Sequence, residues 1–209
     1  VRSFVSEDAA KLIDNQIRAS PWREAADNAG LYLAPLDSAV LNAREEAILS
    51  RALGHAPIIR NSQRSYVVGL NSLRQDVFDT FVAKWDKAGT LTPQRAVSLA
   101  HYVNAATGRG DLRQFGAIAS ELSVPFFAPR LLASRFQVPV QLFLPQTDNA
   151  VRLLIARDLA SFIGAGSAVL GLAALAGATV ELDPRSTDFG RMRIGNTRID
   201  PWAGFQPLV

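Results

Sequence analysis

The chain has 209 residues, 48% of them hydrophobic and 20% charged, so it can bury a real core, and its composition excludes disorder throughout. Its formal net charge of +3 is too small to indicate a nucleic-acid partner by itself. The absence of cysteine excludes disulfides and thiolate metal sites, and the two histidines, His55 and His101, lie far apart in sequence. We therefore expect neither a metal ion nor another cofactor.

The N-terminal part of the chain predicts helical structure. Ser6 followed by two acidic residues is typical of a helix start, and the apolar spacing behind it stops at Ser20 and Pro21. We assign residues 1–40 to an N-terminal helical segment or linker and residues 41–209 to a helical domain, with a helix expected from 42 to 53. Because the chain starts at Val1 and ends on apolar residues, we expect a fragment of a much longer polypeptide.

The strongest helical pattern covers residues 61–87. An apolar stripe at three- and four-residue steps predicts the side of this helix that faces the core. The stripe consists of Tyr66, Leu70, Leu73, Val77, Phe81 and Trp85. The polar residues that lie off the stripe are Arg74, Gln75, Asp76 and Asp79.

Turn signals then divide the middle of the chain. Gly89 is expected to end the long helix, and Thr92 with Pro93 predicts the start of another, which closes at Gly108. The positions of that helix predicted to face inward are Ala96, Leu99, Val103 and Ala106. Four prolines interrupt the very apolar residues 125–145, which predicts short helical pieces that line the core or form an interface. Thr147 or Asp148 is expected to cap the last helix.

That last helix carries an uncharged run of 22 residues, from Leu159 to Val180. As one helix it would reach about 33 Å, enough to cross a bilayer. Its eight large apolar residues supply only about −2.4 to −4.8 kcal/mol of insertion free energy. The small residues form rows that favour close helix packing, at Gly164, Ala168, Gly171 and Gly177. We expect a buried helix held by protein neighbours, and a segment that enters a membrane is the alternative.

A β-hairpin is predicted at residues 191–200. Gly195 and Asn196 form a suitable two-residue turn, which pairs Met192 with Ile199 and places Arg193 opposite Arg198. Like charges facing each other are destabilising, so a carboxylate (Asp183 or Asp188), a neighbouring chain or a phosphate should compensate. The candidate residues for an anion, DNA or inter-chain contact are Arg191, Arg193 and Arg198.

No motif indicates catalysis. Gly164, Gly166 and Gly171 imitate a dinucleotide-binding loop, but the third glycine is misplaced and no strand precedes them. Residues 188–190 spell the kinase DFG motif without any of its companion motifs. We therefore predict that the chain is not an enzyme and has no catalytic residues. Its predicted fold class is mainly α, a multi-helix bundle with a C-terminal β-hairpin.

Four blocks of sequence resemble a large polyvalent protein-associated domain, found in the very large proteins that tailed phages inject with their DNA. The blocks lie between residues 41 and 206 and read NAREEAILSRALGHAPIIRNSQRSYVVGLNSLRQDVFDTF, HYVNAATGRGDL, FFAPRLLASRFQ and DPRSTDFGRMRIGNTRIDPWAGFQ. The resemblance implies a virion-internal protein, packaged in the capsid or near the portal and ejected with the genome into the host cell envelope. It implies no catalytic residue.

Three hypotheses follow for the function. The first is a non-enzymatic structural and ejection module that contacts other virion proteins at the portal or head interior as an oligomer. The second is a membrane-inserting conduit module, which uses residues 159–180 and also residues 126–144 in the host membrane. The third is a module that binds genomic DNA through Arg191, Arg193 and Arg198, with an affinity that falls steeply as salt rises.

Overall fold

The computed structural model describes residues 7–34, 57–109 and 129–202. These residues form helices α1 (Glu7–Arg18), α2 (Arg23–Asn28), α3 (Pro57–Lys87), α4 (Pro93–Ala106), α5 (Pro129–Val140) and α6 (Asn149–Leu175), followed by strands β1 (Thr179–Val180), β2 (Met192–Ile194) and β3 (Thr197–Ile199). The predicted fold class, mainly α with a C-terminal β-hairpin, is confirmed.

The chain divides into two compact units, Val1–Val151 and Arg152–Val209. In the first unit, α1 and α2 pack on α3, and α4 packs on α2, α3 and α5. The second unit consists of most of α6 and the sheet that follows it. The predicted boundary near residue 40 and the predicted helix at 42–53 lie outside the described residues.

The buried side of α3 differs from the predicted apolar stripe. Tyr66 and Leu73 are 69% and 52% exposed, although both belong to that stripe. Within residues 65–87 of α3, the buried residues are Val67, Val68, Asn71, Arg74, Gln75, Phe78 and Val82. The prediction is wrong because three of these residues are polar or charged. A pattern of apolar residues cannot identify polar residues as buried.

The polar residues are buried because each reaches a backbone or side-chain group of a preceding segment. The Asn71 amide accepts a hydrogen bond from the Ala34 N–H (2.9 Å) and donates one to the Ala34 carbonyl (2.7 Å). The Gln75 amide donates to the Asp79 carboxylate at 2.7 Å, and the Ser20 hydroxyl donates to the same carboxylate at 2.6 Å. These bonds fix the α1–α2 segment on α3 and satisfy groups that burial would otherwise penalise.

Arg74 is only 3% exposed, and the bonds that hold its guanidinium are to neutral groups. It donates to the Thr107 hydroxyl (2.8 Å) and to the Tyr32 carbonyl (3.2 Å). Within the described residues no carboxylate forms an ion pair with it. Burial, together with the nearby positive charge of Arg109, lowers the pKa of Arg74 to about 10, so the side chain is still protonated at neutral pH.

The predicted end of α3 at Gly89 and the predicted start of α4 at Thr92 are confirmed. Gly89 adopts φ +64°, and the N–H groups of Gly89 and Thr90 bond back to the carbonyls of Asp86 and Trp85, a Schellman arrangement that ends α3. The Thr92 side chain accepts from the Arg95 N–H and caps α4. On α4 the predicted inward positions Leu99 and Val103 are buried, whereas Ala106 is exposed and Ala96 is half-buried.

The proline-rich segment contains one short helix, as predicted. Pro139 lies in the last turn of α5, and turns lead from there to α6. Phe136 and Phe143 are exposed, so neither of these two residues lines the core, and the alternative, that the segment forms an interface, stays a prediction. Phe126 and Phe127 lie outside the described residues. Asp148 caps the start of α6, because its carboxylate accepts a hydrogen bond from the Ala150 N–H, one of the N–H groups that a helix start leaves unpaired, and another from Arg95 Nε, both at 2.9 Å.

Asp148 should make the stability of the first unit depend on pH. Desolvation raises the pKa of Asp148, but the hydrogen bonds from Arg95 and the Ala150 N–H outweigh it and hold the pKa below its usual value. A carboxylate with a lowered pKa stabilises the fold above its unfolded pKa of about 3.9, and this stabilisation is lost as the pH falls through the folded value. Urea unfolding of Asp148→Asn should show a deficit of about 1 to 2 kcal/mol at pH 7 that shrinks by pH 3. Asparagine also caps helices, so an equal deficit at both pH values would contradict a role for the charge.

Candidate functional site

The most apolar surface of the described residues is on α6. By length and composition this helix could cross a membrane. Its uncharged part is shorter than predicted, because the helix ends at Leu175 and Gly177 turns the chain at φ +89° into β1. The uncharged helical part runs from Leu159 to Leu175 and measures about 25 Å, which is at the lower limit for crossing a hydrocarbon core of about 30 Å.

The prediction that this helix is buried is wrong for the described chain. Only 11% of its most apolar 18-residue stretch is buried, and Leu172 and Leu175 are 67% and 87% exposed. The other large apolar residues of the helix that are exposed are Leu153, Ile163 and Val169. Glycine and alanine present little side chain for a neighbour to contact, and the closest approach to the helix recorded at its glycines is at Gly166.

The residue that approaches Gly166 is Trp202. Its indole is 3% exposed and packs across Gly166, where an added β-carbon would come within 2.7 Å of three ring carbons. The ring meets Phe162 edge-on with 5.9 Å between centroids, and its Nε1–H donates to the Gly190 carbonyl at 2.8 Å. Gly190 itself needs φ +70°. We call this set of contacts, among Phe162, Gly166, Gly190 and Trp202, the Trp202 clasp.

The small residues predicted to pack closely are not the ones that do. A β-carbon added at Gly164, Gly171 or Gly177 would meet no atom within 4 Å, and Ala168 is exposed. Sequence reasoning missed Gly166 because its contact partner lies 36 residues further along the chain. No spacing rule joins a tryptophan such as Trp202, which follows Pro201, to a glycine in a preceding helix.

Gly166 and Gly164 should respond to alanine with opposite signs. Alanine at Gly164 is expected to raise the free energy of unfolding by up to about 1 kcal/mol, because it removes the conformational freedom of glycine in a helix without a clash. Alanine at Gly166 should lower it by about 1 to 3 kcal/mol, since the methyl group displaces the Trp202 ring. Urea unfolding of the two single variants tests this, and equal effects would rule out a close approach at Gly166.

The arginine hairpin has the predicted register. Met192 pairs with Ile199, Arg193 with Arg198 and Ile194 with Thr197, and β1 adds a third antiparallel strand beside β2. The Asp188 carboxylate pairs with Arg191 at 3.1 Å and with Arg198 at 3.2 Å, so the predicted compensation by an intramolecular carboxylate is confirmed. Arg193 Nε donates to the Gly195 carbonyl at 2.9 Å.

A small pocket of about 120 Å³ opens between these side chains. It is lined by Thr179, Glu181, Asp188, Arg191, Met192, Arg193 and Arg198. Two carboxylates therefore offset three guanidinium groups, and Asp188 already engages two of the three. The pocket retains a small positive excess, which is weak attraction for a phosphate compared with an unopposed arginine cluster.

The described residues include no group of three or more metal-ligating side chains placed to hold an ion. Comparison of the chain with family models, with curated proteins and with solved structures gives no match. What the described residues offer chemically is a long uncharged helical surface with Trp202 packed against it, and a small sheet whose three arginines are largely offset by two carboxylates.

Proposed function

We propose that this protein is a non-enzymatic module that brings helix α6 to a lipid membrane. The observation that carries the proposal is the exposure of an uncharged helical surface, which includes Leu172 and Leu175. A helix that is apolar on all sides is ordinarily covered, either by a protein core or by lipid. The described residues of this chain cover one side of α6 only.

The sequence resemblance supports a setting for this activity. A virion-internal protein delivered with a phage genome meets the host cell envelope after ejection, and there an exposed apolar helix has a lipid surface to enter. Inside the particle, the same surface would contact other virion proteins near the portal or in the head. Both settings require the same property, which is an apolar helix surface that the rest of the chain does not cover.

The DNA-binding alternative has less support. Asp188 pairs with both Arg191 and Arg198, so a phosphate would have to compete with an existing carboxylate for two of the three candidate arginines. We retain it as the second candidate because Arg193 forms no ion pair among the described residues.

Liposome flotation tests the membrane proposal. The protein is expected to float with phospholipid vesicles, and Leu172→Arg should reduce the bound fraction about tenfold or more, because burial of a leucine side chain away from water contributes about 1.5 to 3 kcal/mol. Leu12→Arg is the matched control, since Leu12 is also exposed, on α1, and the charge change is the same. Protein that stays at the bottom at neutral and mildly acidic pH, or equal binding by both variants, would refute membrane binding through α6.

The setting is tested separately, by mass spectrometry of purified virions. We expect peptides of this chain among the proteins inside the particle. Their absence, together with successful flotation, would leave the membrane activity in place and reject the phage setting.

A further inference from the structure

From Ile155 to Leu175, the covered positions of α6 lie on one side of the helix. They recur at three- and four-residue steps, which brings them into line along the helix axis. The buried or half-buried positions in this line are Ile155, Leu159, Phe162, Gly166, Leu170 and Ala173. Trp202 lies over the middle of the line, at Gly166. The Trp202 clasp therefore fastens the charged hairpin segment alongside the helix and not at its end.

The opposite side of α6 is bare and carries a charge at one end only. Arg157, Ala160, Gly164, Ala168 and Leu175 follow one another along this line, and all five are exposed. Within the described residues Arg157 forms no ion pair. A free guanidinium next to an uncharged helical surface complements a bilayer whose headgroups are negatively charged.

A helix that crosses the bilayer could not keep the clasp closed. Gly166 lies about 10 Å along the axis from Leu159, close to the middle of the uncharged part. Trp202 at that depth would carry with it the Gly190 carbonyl. It would also carry the paired charges of Asp188, two residues before Gly190, and Arg191, one residue after it. Charged groups at the centre of a bilayer are strongly disfavoured. Crossing and the closed clasp are therefore mutually exclusive.

From this geometry we infer that, with the clasp closed, α6 binds an anionic phospholipid bilayer while lying in the plane of its surface. The side that carries Ala160, Ala168 and Leu175 faces the lipid, and the hairpin supplies the water-facing polar side that the helix itself lacks. Release of Trp202 is what permits α6 to cross. This inference rests on the proposed function, because it specifies how the same helix meets the membrane.

The absence of cysteine from the sequence makes a depth measurement direct. Single cysteines placed at Ala160, Ala168 and Leu175 are labelled with a nitroxide, and each depth is read from collisions with oxygen and with a water-soluble nickel complex. The protein is bound to vesicles of phosphatidylcholine and phosphatidylglycerol. The three labels should lie at one shallow depth, and a label at Asn196, in the hairpin turn, should stay in water.

Opening the Trp202 clasp should change the depths of the three labels. In Trp202→Ala the Ala168 label is expected to become the deepest of the three, whereas Trp202→Phe, which keeps a ring against Gly166, should retain the equal shallow depths. Because Trp202→Ala disturbs the second unit, Gly166→Ala provides a milder opening and should move the Ala168 label part of the way. Circular dichroism reports whether α6 is intact in each variant.

Each outcome of these measurements either supports or contradicts a stated part of the inference. A deep Ala168 label in the unsubstituted protein, or equal shallow depths in every variant, would overturn the inference. Labels that contact no lipid at any position would reject the proposed function itself, which is a different failure.

The role of the anionic lipid is tested separately. Arg157→Gln should weaken binding to these vesicles about fivefold and leave binding to pure phosphatidylcholine unchanged. Equal losses on both vesicles would contradict the role given to Arg157.

Discussion

Trp202→Ala is expected to lower the free energy of unfolding of the second unit by about 3 to 5 kcal/mol, the range observed when a buried tryptophan or phenylalanine is truncated. The indole is almost fully buried, fills the space left by the absent side chain of Gly166, and satisfies the Gly190 carbonyl. Its removal takes away both the packing and the hydrogen bond. Urea unfolding gives the magnitude, and hydrogen exchange shows whether the amides of β2 and β3 lose protection before those of α3.

Trp85→Ala is the matched control. Trp85 is half-buried, with Phe81 at 5.6 Å between ring centroids and Arg95 at 5.4 Å over its ring. Such contacts contribute about 0.5 to 1.5 kcal/mol beyond the area that they bury, so this substitution should cost clearly less. A smaller cost for Trp202→Ala than for Trp85→Ala would show that the clasp does not hold the second unit together.

Asn71→Ala is expected to destabilise the first unit by about 2 to 6 kcal/mol. The Asn71 amide is the hydrogen-bond partner of both the N–H and the carbonyl of Ala34, and this site is buried. A buried polar group left without its partner costs about 1 to 3 kcal/mol, and this substitution leaves two. The measurement is again urea unfolding, with Ser72→Ala as control, because the bond from Ser72 to Asp76 is at the surface and its loss should change stability by less than about 0.5 kcal/mol.

Asn71→Asp separates the hydrogen bond from the volume of the side chain. An ionised carboxylate can still accept from the Ala34 N–H but faces the Ala34 carbonyl without a proton to donate. The fold should therefore favour the protonated acid and raise its pKa, so that stability falls as the pH rises above the unfolded value of about 3.9. We expect a smaller deficit at pH 4 than at pH 7. A deficit that grows toward pH 4 would mean that the Ala34 carbonyl does not use this partner.

The same residues show why sequence reasoning found the end of α3 and the start of α4 but misplaced the buried side of α3. Helix starts and ends depend on neighbours in the chain, as at Thr92 and Gly89, so local rules find them. Which side of α3 is buried depends on Ala34 and Tyr32, whose backbone groups Asn71 and Arg74 reach across 37 and 42 residues. No periodicity within α3 contains that information.

The candidate site also combines features that the sequence predicted with features that it did not. The uncharged composition of α6 was visible in the sequence, and so was the hairpin register, because a two-residue turn at Gly195 and Asn196 determines which residues face each other. The facing arginines predicted a compensating carboxylate, and Asp188 provides it. The sequence did not show that α6 is bare on most sides, since an apolar run is equally compatible with burial in protein.

By itself, then, the sequence determined the mainly helical fold class, the turn that sets the hairpin and the uncharged character of α6, because each of these depends on residues within a few positions of one another. Only the tertiary structure decided that polar side chains line the buried side of α3 and that Gly166, and not Gly164, receives Trp202. Both depend on contacts between residues that are distant in the chain, and such contacts are selected by the packing of whole elements.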